Sequence, residues 1–131
     1  MAVRYRGWNI TMIVCYDVRF PVWCRNSNNE YDLMIAVANW PTVRANAWKQ
    51  LLIARAMENQ AYVCGVNCKG VDTNGFEYGG DTFAIDFKGL IINNEDQENG
   101  IIYAQLNAEK LDAFRTKFPA WQDADEFELK K

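Results

Sequence analysis

Residues 8–15 open with an alternation. Ile10, Met12 and Val14 stand against Asn9, Thr11 and Ile13, and only the last part is apolar on both sides. That is the pattern of a strand entering a buried sheet. Residues 33–38, Leu-Met-Ile-Ala-Val-Ala, are apolar at consecutive positions, which predicts a central strand covered on both faces. Further strands are expected over residues 62–67, 82–86, 90–93 and 101–106, with Lys88-Gly89 as a hairpin-like turn. Val43, Ala47, Leu51, Ala54 and Met57 recur at helical spacing behind Thr42, a good N-cap. They predict a helix over residues 42–59. Pro21 suits the first position of a short helix reaching about residue 25, and Asn107 caps a helix over 108–116. Residues 26–29 and 69–80 read as loops, and 94–100 as an acidic surface turn.

The early strands alternate with helices, which favours parallel pairing; the later ones are joined by short turns, which favours antiparallel pairing. The expected fold is therefore α/β (α+β), a mixed sheet with helices on one face. The helices over 42–59 and 108–116 would cover that face. The other face is also apolar and needs a cover of its own.

With 131 residues, half of them hydrophobic, the chain has the size of one domain with a single core. A net charge of −3 with no dominant basic patch argues against nucleic acid as a partner. The longest apolar run is far too short to span a bilayer, and the first residues, Met-Ala-Val-Arg-Tyr-Arg, have no signal-peptide core. A cytoplasmic protein without membrane contact is expected. The chain contains no histidine. This removes Ser-His-Asp and Cys-His catalysis and His-based zinc sites within the chain, so neither metal nor cofactor is expected. The cysteines Cys15, Cys24, Cys64 and Cys68 show no C-x-x-C spacing and read as reduced thiols.

Cys15 ends an apolar strand and is followed by a sharp turn and a helix start at Pro21. This is the layout of a nucleophile elbow, with backbone N–H groups facing a developing oxyanion. A buried core cysteine is the competing reading. Asp17 and Arg19 could orient a substrate, but an ion pair bracing the elbow is favoured. Arg55 and Glu58 are three apart on a helix and can pair, which makes Glu58 structural rather than a base. Arg44 could meet a substrate carboxylate or stand in solvent. Asp81 reads as a loop acceptor, and Cys64 and Cys68 as core.

Cys15-Tyr16-Asp17-Val18-Arg19-Phe20-Pro21 resembles the nucleophile segment of the nitrilase, or carbon–nitrogen hydrolase, superfamily. Arg55-Ala56-Met57-Glu58-Asn59-Gln60-Ala61-Tyr62 resembles its helix-to-strand segment. Tyr78-Gly79-Gly80-Asp81-Thr82 with Asp86-Phe87-Lys88-Gly89 resembles a later one. The tail over residues 117–125 is most similar to the omega-amidase branch, which hydrolyses 2-oxo acid amides. The resemblance implies a Glu-Lys-Cys triad acting through a thioester, a scheme that needs no histidine. It implies Cys15 as nucleophile, the Tyr16 backbone N–H as oxyanion donor, and Trp40 beside the substrate pocket.

The family's glutamate and lysine lie well before its cysteine, whereas 14 residues precede Cys15 here. Residues 1–131 are thus expected to be the C-terminal portion of a family domain. They would form about half of the family's four-layer α-β-β-α sandwich, with the Glu- and Lys-bearing half absent. The expected function is amide hydrolysis on a small-molecule substrate, incomplete or inactive in the isolated chain. The alternative is a non-catalytic truncated module acting in binding or assembly. The uncovered sheet face and the aromatic tail lead to an expected homo-oligomer.

Overall fold

The computed structural model describes residues 2–94 and 100–128. Among the described residues seven strands are formed: β1 (Ala2–Tyr5), β2 (Trp8–Val14), β3 (Leu33–Ala38), β4 (Tyr62–Asn67), β5 (Lys69–Val71), β6 (Glu77–Gly79) and β7 (Phe83–Ile85). The helices are α1 (Pro21–Cys24), α2 (Ala45–Glu58) and α3 (Ala108–Lys117). The main sheet has the order β1-β2-β3-β4-β7. Its centre, β2-β3-β4, is parallel, and β1 and β7 join antiparallel. The mixed sheet is as expected, and the apolar runs at β3 and β4 form strands with the expected bounds.

Several local expectations are corrected. β1 was not anticipated; all four of its residues are exposed, so no burial pattern marks it. Residues 69–80 are not simply a loop but contain the β5–β6 hairpin. Asp72 organises its turn, accepting from the Asn74 and Phe76 N–H groups (2.9 Å each) and from the Tyr78 hydroxyl (3.1 Å). These bonds, the Phe76 N–H foremost, hold the Asp72 carboxyl below its ordinary range, and the hydrogen bond to Asp72 pushes the Tyr78 phenol up. Residues 90–93 supply only an isolated bridge, Ile91 to Ile85. Residues 101–106 form no strand, although the Tyr103 carbonyl accepts from the Asn94 N–H at 2.9 Å. Of the expected acidic turn, residues 95–99 lie outside the described residues.

α2 lies on the face formed by Met34, Ala36, Val63 and Ile85, with Trp48, Leu52 and Ala56 buried against it. The approach is closest at Gly65, where a Cβ would sit 2.2 Å from Leu52 Cδ1 and 3.0 Å from the Trp48 ring. α3 is placed differently from expectation. It packs Leu111 and Phe114 with Leu33, Tyr62 and Phe87, on the opposite face near the strand starts. Asn107 caps it by accepting from the Lys110 N–H at 2.8 Å. Arg115 anchors it: the buried guanidinium pairs with Asp32 at 2.8 Å and donates to the Tyr31 and Gln60 carbonyls at 2.8 and 2.9 Å.

The rest of that second face is open. Val14, Val37 and Val66 lie in one register row, and Met12 stands in the next; they are 61%, 46%, 45% and 64% exposed. β3 is central, as expected, but is not buried on both faces. Gly65→Ala is expected to destabilise the chain by about 1–3 kcal/mol, because the added methyl collides with a filled core. An unchanged midpoint in urea denaturation would overturn this account of the α2 contact.

Candidate active site

The parallel strands β2, β3 and β4 end together at Cys15, Asn39-Trp40 and Asn67. In open α/β sheets the carboxyl ends of parallel strands are where ligands bind. Cys15 follows β2 directly and begins a 3-10 turn, Cys15–Arg19. Its φ is +47°, a left-handed conformation uncommon for a residue with a Cβ. The strand therefore turns sharply at this residue, and the thiol is half-buried, packed against the core cluster that contains Trp40 and Trp48.

Three contacts hold the elbow. Asp17 Oδ2 accepts from the Val14 N–H at 3.0 Å, and the Phe20 N–H closes the turn on the Asp17 carbonyl at 2.9 Å. From α2, the buried Arg55 donates from Nε to the Val18 carbonyl at 2.9 Å while pairing with Glu58. The structural reading of Glu58 agrees with this placement. The expected Asp17–Arg19 ion pair is not formed: the backbone amide of Val14 takes the Asp17 carboxylate, and the Arg19 guanidinium lies over the Trp40 and Tyr16 rings. The Tyr16 ring is exposed and meets Phe20 edge-on.

Trp40 is buried, tilted against Trp48 at 5.3 Å, with its indole N–H on the Arg44 carbonyl at 2.8 Å. The residue that fixes it carries no local signal along the chain. Asn67 accepts from the Trp40 N–H at 2.6 Å and donates to the Trp40 carbonyl at 2.9 Å. Thr82 in turn exchanges hydrogen bonds with the Asn67 backbone, at 3.1 and 3.3 Å. An asparagine closing an apolar strand reads as a turn former, and nothing local points to a partner 27 residues away. Trp48 donates its indole N–H to the Asp81 carbonyl at 2.8 Å, so the expected role of Asp81 as acceptor is taken by its backbone. The Arg44 side chain is exposed. Arg19 is thus brought together with Tyr16 and Trp40, Cys15 packs on the core cluster to which Trp40 belongs, and Arg44 meets Trp40 through its carbonyl.

Burial pushes the Cys24 and Cys64 thiols up. Among the described residues, no group of three or more His, Cys, Asp or Glu is placed to hold a metal ion. No helix among them is long and apolar enough to cross a membrane. A groove of about 680 Å³ lies away from Cys15, between the tail and α1, and is lined by Val22, Arg25, Trp121 and Phe127 among others. There the Arg25 guanidinium stands 5.4 Å over Phe127, so the aromatic tail lies on its own chain.

The carbon-nitrogen hydrolase family model matches residues 2–116. The chain belongs to the carbon–nitrogen hydrolase family. It is 54% identical over 128 residues to omega-amidase YafV of Escherichia coli K12, covering 97% of this chain and 50% of that protein. It is 35% identical over 112 residues to the 2-oxoglutaramate amidase of Bacillus subtilis, covering 85% and 43%. The crystal structure of XC1258, a CN-hydrolase superfamily protein from Xanthomonas campestris with an arsenic adduct in its active site, superposes with a TM-score of 0.88. It is 42% identical, with 99% of this chain and 52% of that one covered. The chain therefore spans about half the length of these family members.

Asn67→Ala is expected to cost about 1–3 kcal/mol, because the Trp40 N–H and carbonyl lose their buried partner. A denaturation midpoint equal to that of the unaltered chain would show that the clamp carries no load.

Proposed function

We propose that this chain carries the nucleophile-bearing, C-terminal portion of an omega-amidase-type carbon–nitrogen hydrolase. The reaction is hydrolysis of small 2-oxo acid amides to the acid and ammonia. The observation that carries the reading is Cys15 held at positive φ where β2 ends, with a 3-10 turn starting on it. The 54% identity to an omega-amidase across 97% of the chain supports the substrate class.

In this reading the Cys15 sulfur attacks the amide carbon, and the backbone N–H of Tyr16 donates to the developing oxyanion. The C–N bond breaks, ammonia leaves, and water cleaves the thioester to release the acid. Trp40 walls the pocket and Arg44 offers a cation at its margin. The glutamate that takes the thiol proton and the lysine that steadies the tetrahedral intermediate belong to the other half of the domain. That half would pack on the open row of Met12, Val14, Val37 and Val66. Without it, the face favours self-association into a homo-oligomer. The scheme uses no metal or cofactor and suits a cytoplasmic setting.

Limited alkylation near neutral pH followed by peptide mapping is expected to label Cys15 first, since among the four thiols it stands at the strand-to-turn elbow. Preferential labelling of Cys24, Cys64 or Cys68 would sink the assignment. The isolated chain is expected to release little or no ammonia from 2-oxoglutaramate, because loss of even one oxyanion donor costs about 100-fold in rate. Supplying the Glu- and Lys-bearing half should restore release, and Cys15→Ala should abolish the restored activity. Robust turnover by the pure chain would overturn the incomplete-site reading.

A further inference from the structure

Arg19 stands at the far end of the 3-10 turn that begins at Cys15. Its guanidinium carbon lies 4.9 Å over the Trp40 ring centroid and 5.7 Å over that of Tyr16. The residue is half-buried. The acid nearest in sequence, Asp17, is turned to the Val14 N–H. The ion pairs formed among the described residues, Arg55–Glu58 and Arg115–Asp32, do not include Arg19. Two aromatic rings hold the charge in place without neutralising it. A guanidinium so held keeps its capacity for a carboxylate, which it binds edge-on through paired N–H donors.

We infer that Arg19 is a specificity residue that receives the free carboxylate of the amide substrate, an inference that rests on the reading of Cys15 as nucleophile. Cys15 opens and Arg19 closes the same five-residue turn, so a short-chain amide acid with its reacting carbon at one end and its carboxylate at the other can address both. Trp40 is linked to both. It touches the guanidinium with its ring and belongs to the cluster against which Cys15 packs. Its backbone is clamped by Asn67, so the platform under the cation is fixed. Arg44 is the competing cation, but its side chain is exposed, and exposed charges are screened.

Iodoacetate and iodoacetamide present the same electrophilic carbon and differ in the carboxylate. The ratio of their alkylation rates at Cys15 reads the local cation directly. In Arg19→Gln this ratio is expected to fall about three- to fivefold, as for one unit charge acting at close range through water. Arg19→Lys should keep part of it, and Arg44→Gln should lower it less than Arg19→Gln does. A ratio unchanged in Arg19→Gln, or a larger fall in Arg44→Gln, overturns the assignment. If Cys15 reacts with neither reagent, the nucleophile reading fails, and a titration with 2-oxoglutarate decides Arg19 by itself. A shift of the Trp40 indole N–H resonance that disappears in Arg19→Gln supports the carboxylate seat; no shift in the unaltered chain overturns it.

Discussion

The close approach of α2 to β4 at Gly65 sets the geometry at the carboxyl ends of the parallel strands. Only a residue without a Cβ lets Leu52 and Trp48 settle onto the strand. From that depth Trp48 reaches Trp40 on one side and the Asp81 carbonyl on the other. One to two turns further along the same helix, Arg55 reaches the Val18 carbonyl inside the elbow turn. One helix, seated at one glycine, thus touches the segments after β2 and β3 and the segment before β7. A helix held further from the sheet would leave each of these polar contacts too long to form.

How much of this is legible in the sequence depends on whether the signal is local. β3 and β4 are runs of apolar residues bounded by polar ones, and a buried parallel strand leaves that imprint. The elbow at Cys15 is legible for a similar reason: an apolar strand, a polar turn and a proline follow one another within seven residues. β1 leaves no imprint because it is an exposed edge paired on one side. The β5–β6 hairpin is hidden because a Gly- and Asp-rich stretch reads as loop, although it is the Asp72 carboxylate that ties the turn together.

The site residues divide along the same line. For Asp17, a side-chain ion pair two residues away looks favourable, while the competing donor, the Val14 backbone N–H, has no signature in composition. Trp40, which draws Arg19 away, comes from 21 positions further on. Asn67 is a still clearer case, since its whole contribution is made to the backbone of another strand end. Arg115 belongs here too. Its guanidinium joins α3 to the starts of β3 and β4 across more than fifty residues, and three acceptors around it make its burial tolerable.

The two ends of the open sheet face differ. At the strand starts, an aromatic series runs from Trp8 to Tyr62, Phe87, Phe114 and Phe118, with ring centroids 5.8, 5.3, 4.8 and 6.3 Å apart. At the strand ends, the valine row lies bare. The two ends thus differ in kind: packed aromatic side chains fill the face at the strand starts, and bare valine side chains leave it apolar at the strand ends. Any surface laid over those valines removes apolar area from water, which stabilises the contact by roughly 25 cal/mol per Å² covered.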